Sequence, residues 1–119
     1  MARSIALFTS WSQPVRGREA KALEGFMDFL TYFGKHAADG KCTAPETYFA
    51  EDGSSGFAIV KGESDVLRPI LETEEYEKLL TKAQYCVENL KTHVYFTGDD
   101  EIQRAMRIYA EAGAELGYM

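Results

Sequence analysis

The chain has 119 residues, a net charge of −6, and 45% apolar against 27% charged side chains. These are ordinary globular values that exclude disorder, and a chain of this length buries roughly two-thirds of its unfolded surface in one core, which predicts a single domain over residues 1–119. The acidic balance, with no cluster of Lys and Arg, excludes nucleic acid as a partner, and apolar runs such as Phe57 to Val60 fall far short of the roughly 20 residues that cross a bilayer, so no membrane is expected.

Met1-Ala2-Arg3-Ser4 runs into a strand pattern without an apolar signal segment, so the expected location is cytoplasmic. The first strand alternates Ile5, Leu7, Thr9 and Trp11 with Ala6, Phe8 and Ser10, which puts apolar groups on both of its faces. Ser12 to Gly17 reads as a turn, because Pro14 fixes φ and Gly17 lets the backbone change direction. From Arg18 to Ala38, Leu23, Phe26, Met27, Leu30, Phe33 and Ala37 step by three and four, the mark of a helix with one buried face, and Asp39-Gly40 ends it.

A second strand is predicted near Cys42 to Ala50 and a third over Phe57 to Lys61, joined by the turn-forming run Glu51 to Gly56. Pro45 cannot donate a ladder hydrogen bond, so its strand belongs at a sheet edge or carries a bulge. Ser64 and Asp65 mark one helix start and Thr73 with Glu74 and Glu75 a second. Two short helices and one helix kinked near Pro69 fit equally well.

Tyr85 to Thr97 then alternates over thirteen residues. Such a strand would span about 43 Å at about 3.3 Å per residue, against a usual length of about 5–6 residues. It is expected to break, bulge or leave its subunit. Read as an arm that pairs with a second copy, it makes a symmetric dimer the central expectation. Gly98 with Asp99, Asp100 and Glu101 starts a further helix, with Ile102, Ala105, Met106 and Tyr109 on one face. Cys42 and Cys86 lack both zinc-site spacing and the density of a disulfide framework, so reduced, packed thiols are expected.

The order β-α-β-β-α-β with an extra C-terminal helix predicts an α+β, ferredoxin-like fold: a four-stranded antiparallel sheet with helices on one side. The other side would expose an apolar surface that a second sheet is the simplest way to cover. At this point the chain resembles the dimeric α/β barrel superfamily. The strand ending in Ser10-Trp11, the turn into a long first helix, and the hairpin Tyr48-Phe49-Ala50 with Asp52 to Val60 are similar to its small uncharacterised members. The resemblance implies a homodimer, a distant Cys42 and Cys86, and a range of activities that includes cofactor-independent monooxygenases, haem-degrading enzymes and isomerases.

The imidazoles, His36 and His93, are the natural proton-transfer groups. In a continuous last strand His93 shares parity with Asn89 and Tyr95, which makes these three the candidate catalytic set, with His93 as base and the others orienting an oxyanion. Cross-strand packing is the bland alternative. Trp11, Phe26, Tyr32, Tyr48 and His36 are candidate ligand-binding residues for a small, partly aromatic organic molecule, or else plain core and, for His36, a partner for the helix dipole. No metal site is expected, and no cofactor: Ser64 to Ala83 contains no histidine to ligate a haem iron, and phosphate-loop and dinucleotide motifs are absent.

Overall fold

In a computed structural model, which describes residues 2–119, the elements follow in the order β1 (Ser4–Trp11), α1 (Glu19–Ala38), β2 (Glu46–Phe49), β3 (Gly56–Glu63), α2 (Ser64–Leu71), α3 (Glu74–Cys86), β4 (Lys91–Phe96) and α4 (Asp99–Glu115). The strands form one antiparallel sheet in the order β2-β3-β1-β4. This is the ferredoxin-like α+β arrangement expected from the period changes along the chain.

Pairing register sorts the side chains. Ile5, Leu7, Thr9 and Trp11 lie opposite Gly62, Val60, Ala58 and Gly56 of β3, and these rows face the helices. There Ile5, Leu7 and Val60 join Phe29, Tyr32 and Phe33 of α1, Leu67 and Ile70 of α2, and Tyr76 of α3 in the core. Burial and the nearby Tyr32 phenol push the Tyr76 hydroxyl up to about 12, so it stays protonated inside that core. Ala6, Phe8 and Ser10 point to the other side, which no element among the described residues covers.

Several local signals act as anticipated, and others are redirected. Thr73 caps α3 by accepting from the Tyr76 amide at 3.1 Å. Ser64 instead accepts from the Arg3 amide at 3.0 Å while its own amide donates to the Arg3 carbonyl at 2.7 Å, tying the start of β1 to the start of α2. The second helical region is two short helices. β2 is shorter than its sequence pattern, because Pro45 interrupts regular pairing; before it Thr43 exchanges two bonds with Lys61, amide to carbonyl at 2.8 Å and hydroxyl from amide at 2.9 Å. β2 lies at the sheet edge, as its proline requires.

The long last strand does not form. α3 continues through Tyr85 and Cys86, and Asn89 takes a left-handed conformation with φ of 55°, so only Lys91–Phe96 remains as β4. Past the helix end Val87 is extended and bridges Pro14 of the first turn: the Ser12 amide donates to the Glu88 carbonyl, the Glu88 amide to the Gln13 carbonyl and the Val15 amide to the Cys86 carbonyl, all within 2.8–2.9 Å. The alternation was real, but its first part serves an internal bridge rather than an arm.

Candidate functional site

A cleft of about 510 Å³ opens on the helix side of the sheet, within the usual range for small-molecule sites. Thr9 and Trp11 of β1 form its floor, Ala22, Phe26 and Phe29 of α1 one wall, and Leu79, Leu80, Ala83 and Cys86 of α3 the other, with Phe49 of β2 at one end. Arg18 donates to the Tyr85 carbonyl at 2.6 Å, which joins the start of α1 to the end of α3 across one end of the cleft.

Three aromatic rings gather at the Phe49 end. Trp11 lies 5.7 Å from Phe26 and 6.3 Å from Phe49, and Phe26 lies 5.5 Å from Phe49, all tilted or edge-on as ring quadrupoles favour. The indole can lie across the sheet because the neighbouring strand position is Gly56: a Cβ there would fall 2.8 Å from Trp11 Cζ2. The hydroxyl of Thr9, in a residue only 3% exposed, is buried and has no hydrogen-bond partner among the described residues. An unpaired hydroxyl in an apolar floor is an uncommon feature, since buried polar groups are normally satisfied.

Of the candidate binding residues, Trp11 and Phe26 meet in this cleft. Tyr32 lies one layer deeper, where its hydroxyl reaches the Ile70 carbonyl at 2.5 Å and Thr73 Oγ1 at 2.7 Å. His36 packs edge-on against Tyr32 with centroids 4.9 Å apart, and its Nδ1 is buried without a partner. Burial first, and then the cations of Lys35 and Lys41, hold its pKa below the usual value. Tyr48 pairs with Phe57 on the uncovered sheet face and does not reach the cleft.

His93 and Tyr95 also point to the uncovered face, their rings 5.9 Å apart, where Tyr95, Phe8, Phe57 and Tyr48 continue the aromatic surface at centroid spacings of 4.8–6.0 Å. Asn89 is not on that wall. It sits in the turn before β4, and its side-chain amide donates to Ser12 Oγ at 3.1 Å, so the shared parity expected of a continuous strand is lost. The sheet therefore separates two groups of candidates, Trp11 and Phe26 on one face and His93, Tyr95 and Tyr48 on the other. Phe49, Thr9 and the α3 wall were not singled out in the sequence. Thr9 carried a signal, the lone hydroxyl in an otherwise apolar row, whereas Phe49 and Tyr48 differ only in which side of an edge strand each takes.

Cys42 and Cys86 are both free thiols; burial pushes the Cys42 thiol up. Among the described residues no group of three or more His, Cys, Asp or Glu is placed to hold a metal ion, and no helix is long and apolar enough to cross a membrane.

No family model matches the sequence, and no curated protein is significantly similar to it. Solved structures do match. Rv0793 from Mycobacterium tuberculosis superposes with a TM-score of 0.65 at 12% identity, over 81% of this chain and 96% of its own. SnoaB, a cofactor-independent oxygenase from Streptomyces nogalater, gives 0.63 at 15% identity over 81% and 94%. PA3566 from Pseudomonas aeruginosa gives 0.59 at 16% identity over 82% and 97%. At these identities the likeness shows the fold alone, and these proteins share the ferredoxin-like α+β architecture of the chain.

Proposed function

We propose that this chain is a homodimer whose protomers each bind a small, partly aromatic organic molecule in the cleft between sheet and helices. The observation that carries this reading is the cleft itself, an apolar space of about 510 Å³ with three converging rings at one end. Flat, apolar ligands fit such walls, and the buried Thr9 hydroxyl supplies one polar contact for orientation. A thermal-shift screen of hydroxynaphthoic acids and naphthoquinones tests it. Ligand at 100 times its dissociation constant adds about 2.7 kcal/mol of stability, which raises Tm by several degrees and perturbs Trp11 emission. Filling the cleft with Ala83→Phe abolishes both effects. If no member of the panel moves Tm or the emission, the binding reading falls.

A second reading, cofactor-independent oxygenase or isomerase, is favoured by the shared fold with SnoaB. Here the base is His93, beside Tyr95, and the reaction space is the uncovered sheet face roofed by the second protomer rather than the helix-side cleft. Oxygen uptake with phenolic substrates that falls about 10²–10⁴-fold in His93→Ala supports it. Uptake unaffected by that change, or none with any tight-binding phenol, removes it. A chain that dimerises but neither binds nor turns over an aromatic is an assembly module.

A further inference from the structure

The helix α4 buries no residue, although its sequence is amphipathic. Ile102, Met106, Tyr109 and Leu116 follow one stripe and are 47%, 60%, 75% and 71% exposed, while Arg104, Arg107 and Glu111 occupy the opposite side. Among the described residues, the side-chain bonds that tie the helix to the rest of the chain lie at its root. Arg3 Nε and Nη2 bind the Glu101 carboxylate at 2.8–3.2 Å, and the Arg3 guanidinium lies 3.6 Å over the Phe96 ring. At its far end Gly117, with φ of +82°, closes a well-formed cap in which the Tyr118 amide donates to the Gly113 carbonyl and the Gly117 amide to the Ala114 carbonyl. The helix is thus finished at both ends but unsupported along its length.

Its position shows in the dimensions of the molecule. The radius of gyration is 17.0 Å, against about 13.5 Å for a compact chain of this length. Next to α4, β4 is exposed on both faces: on the helix side Val94 is 39% exposed, and Phe96, under the Arg3 guanidinium alone, still 41%, while His93 and Tyr95 are exposed on the other. An isolated helix of this length is marginal in water, and an exposed apolar stripe on such a helix calls for a covering partner.

We propose that α4 is an embracing arm whose Ile102–Met106–Tyr109 stripe packs on a second copy of this chain; the inference rests on the homodimer reading given above. Area selects this occupant. Four strands at about 4.8 Å spacing and about 3.3 Å per residue give a sheet face of roughly 400 Å² per protomer, so a sheet-on-sheet contact alone buries about 800 Å², below the roughly 1,200–2,000 Å² of stable interfaces. A helix of 17 residues, about 25 Å long and about 10 Å across its contact face, adds roughly 1,000 Å² when both arms lie on the opposite protomers, which brings the total into that range. Because α4 leaves β4 directly, a protomer seated on the aromatic sheet face is already beside it.

Sedimentation equilibrium of the full chain, with hydrogen exchange, tests the arm. The wild type is expected to be a dimer in which α4 amides are protected at concentrations where the dimer persists and lose protection on dilution. The pair Met106→Glu and Tyr109→Glu is expected to weaken dimerisation about 100-fold with Trp11 emission unchanged, whereas Arg107→Glu on the charged side has little effect. Unprotected α4 amides in a dimeric wild type, or an undiminished dimer in the double variant, overturns the arm and leaves the homodimer standing. A wild type that remains monomeric at every concentration overturns both.

Discussion

Gly56 decides where the only tryptophan of the chain can lie. A side chain there would meet the indole at 2.8 Å and the Tyr48 carbonyl oxygen at 2.9 Å, and the second contact is with backbone that cannot swing aside. Gly56→Ala should therefore cost about 1–3 kcal/mol, as overpacking does, and should shift Trp11 emission and weaken ligand binding together. Urea unfolding followed by the same fluorescence reads all three. His36 makes a different prediction. Its folded pKa lies below the ordinary 6.5, so the fold favours neutral imidazole, and the associated stability is present above that value and is lost as pH falls through the folded one. Acidification from about pH 7.5 to about pH 5 should lower the urea midpoint of the wild type more than that of His36→Gln. Trp11 and Phe26 were legible as inward-facing aromatics because both lie in strongly periodic elements. His93, Tyr95 and Tyr48 were equally legible as aromatic or polar side chains, but choosing between sheet faces needs the register with neighbouring strands, which no local pattern contains.

Elements with a hydrophobic period and a clear punctuating residue could be read from the chain alone. The α1 span follows from its three-and-four spacing and Asp39-Gly40, and α3 from the Thr73 cap. Thr73 also accepts or donates at the Tyr32 hydroxyl, 2.7 Å away, so one side chain joins a helix start to the core. Thr73→Ala is expected to cost about 1–2 kcal/mol, and Thr73→Ser to recover most of it, in chemical denaturation. The misread element was the long final strand. Period-two alternation cannot register a single left-handed residue, and Asn89 is the kind of side chain that tolerates one. Both Asn89→Gly and Asn89→Val lose the exposed bond to Ser12, but glycine accepts φ of 55° and should leave stability nearly unchanged, whereas valine is strained there and should lose more than about 1 kcal/mol on the same assay.

At the scale of the whole molecule, the expectation of an uncovered sheet surface came from counting layers, and the structure presents it as a band of rings from Tyr48 through Phe57 and Phe8 to Tyr95. Contiguous apolar surface of this kind is uncommon on monomeric proteins and often marks an interaction site. Phe57→Glu puts a charge at its centre without touching the helix-side core, so it should dissociate the proposed dimer while leaving far-UV circular dichroism intact; sedimentation velocity at micromolar concentration distinguishes the two states. The cleft, by contrast, was legible only as a location between layers. Its walls come from α1, α3 and two strands distant in sequence, and their convergence depends on packing angles that composition and periodicity do not encode.

Arg3 gives the first strand and the last helix a shared fate. Its backbone clasps Ser64, its guanidinium covers Phe96 and grips Glu101, and the grip holds the Glu101 carboxyl below its usual pKa, chiefly through those hydrogen bonds. A bulky probe attached at either side chain would strain two places at once, the first strand and the start of the last helix, although 98 positions of sequence separate the partners.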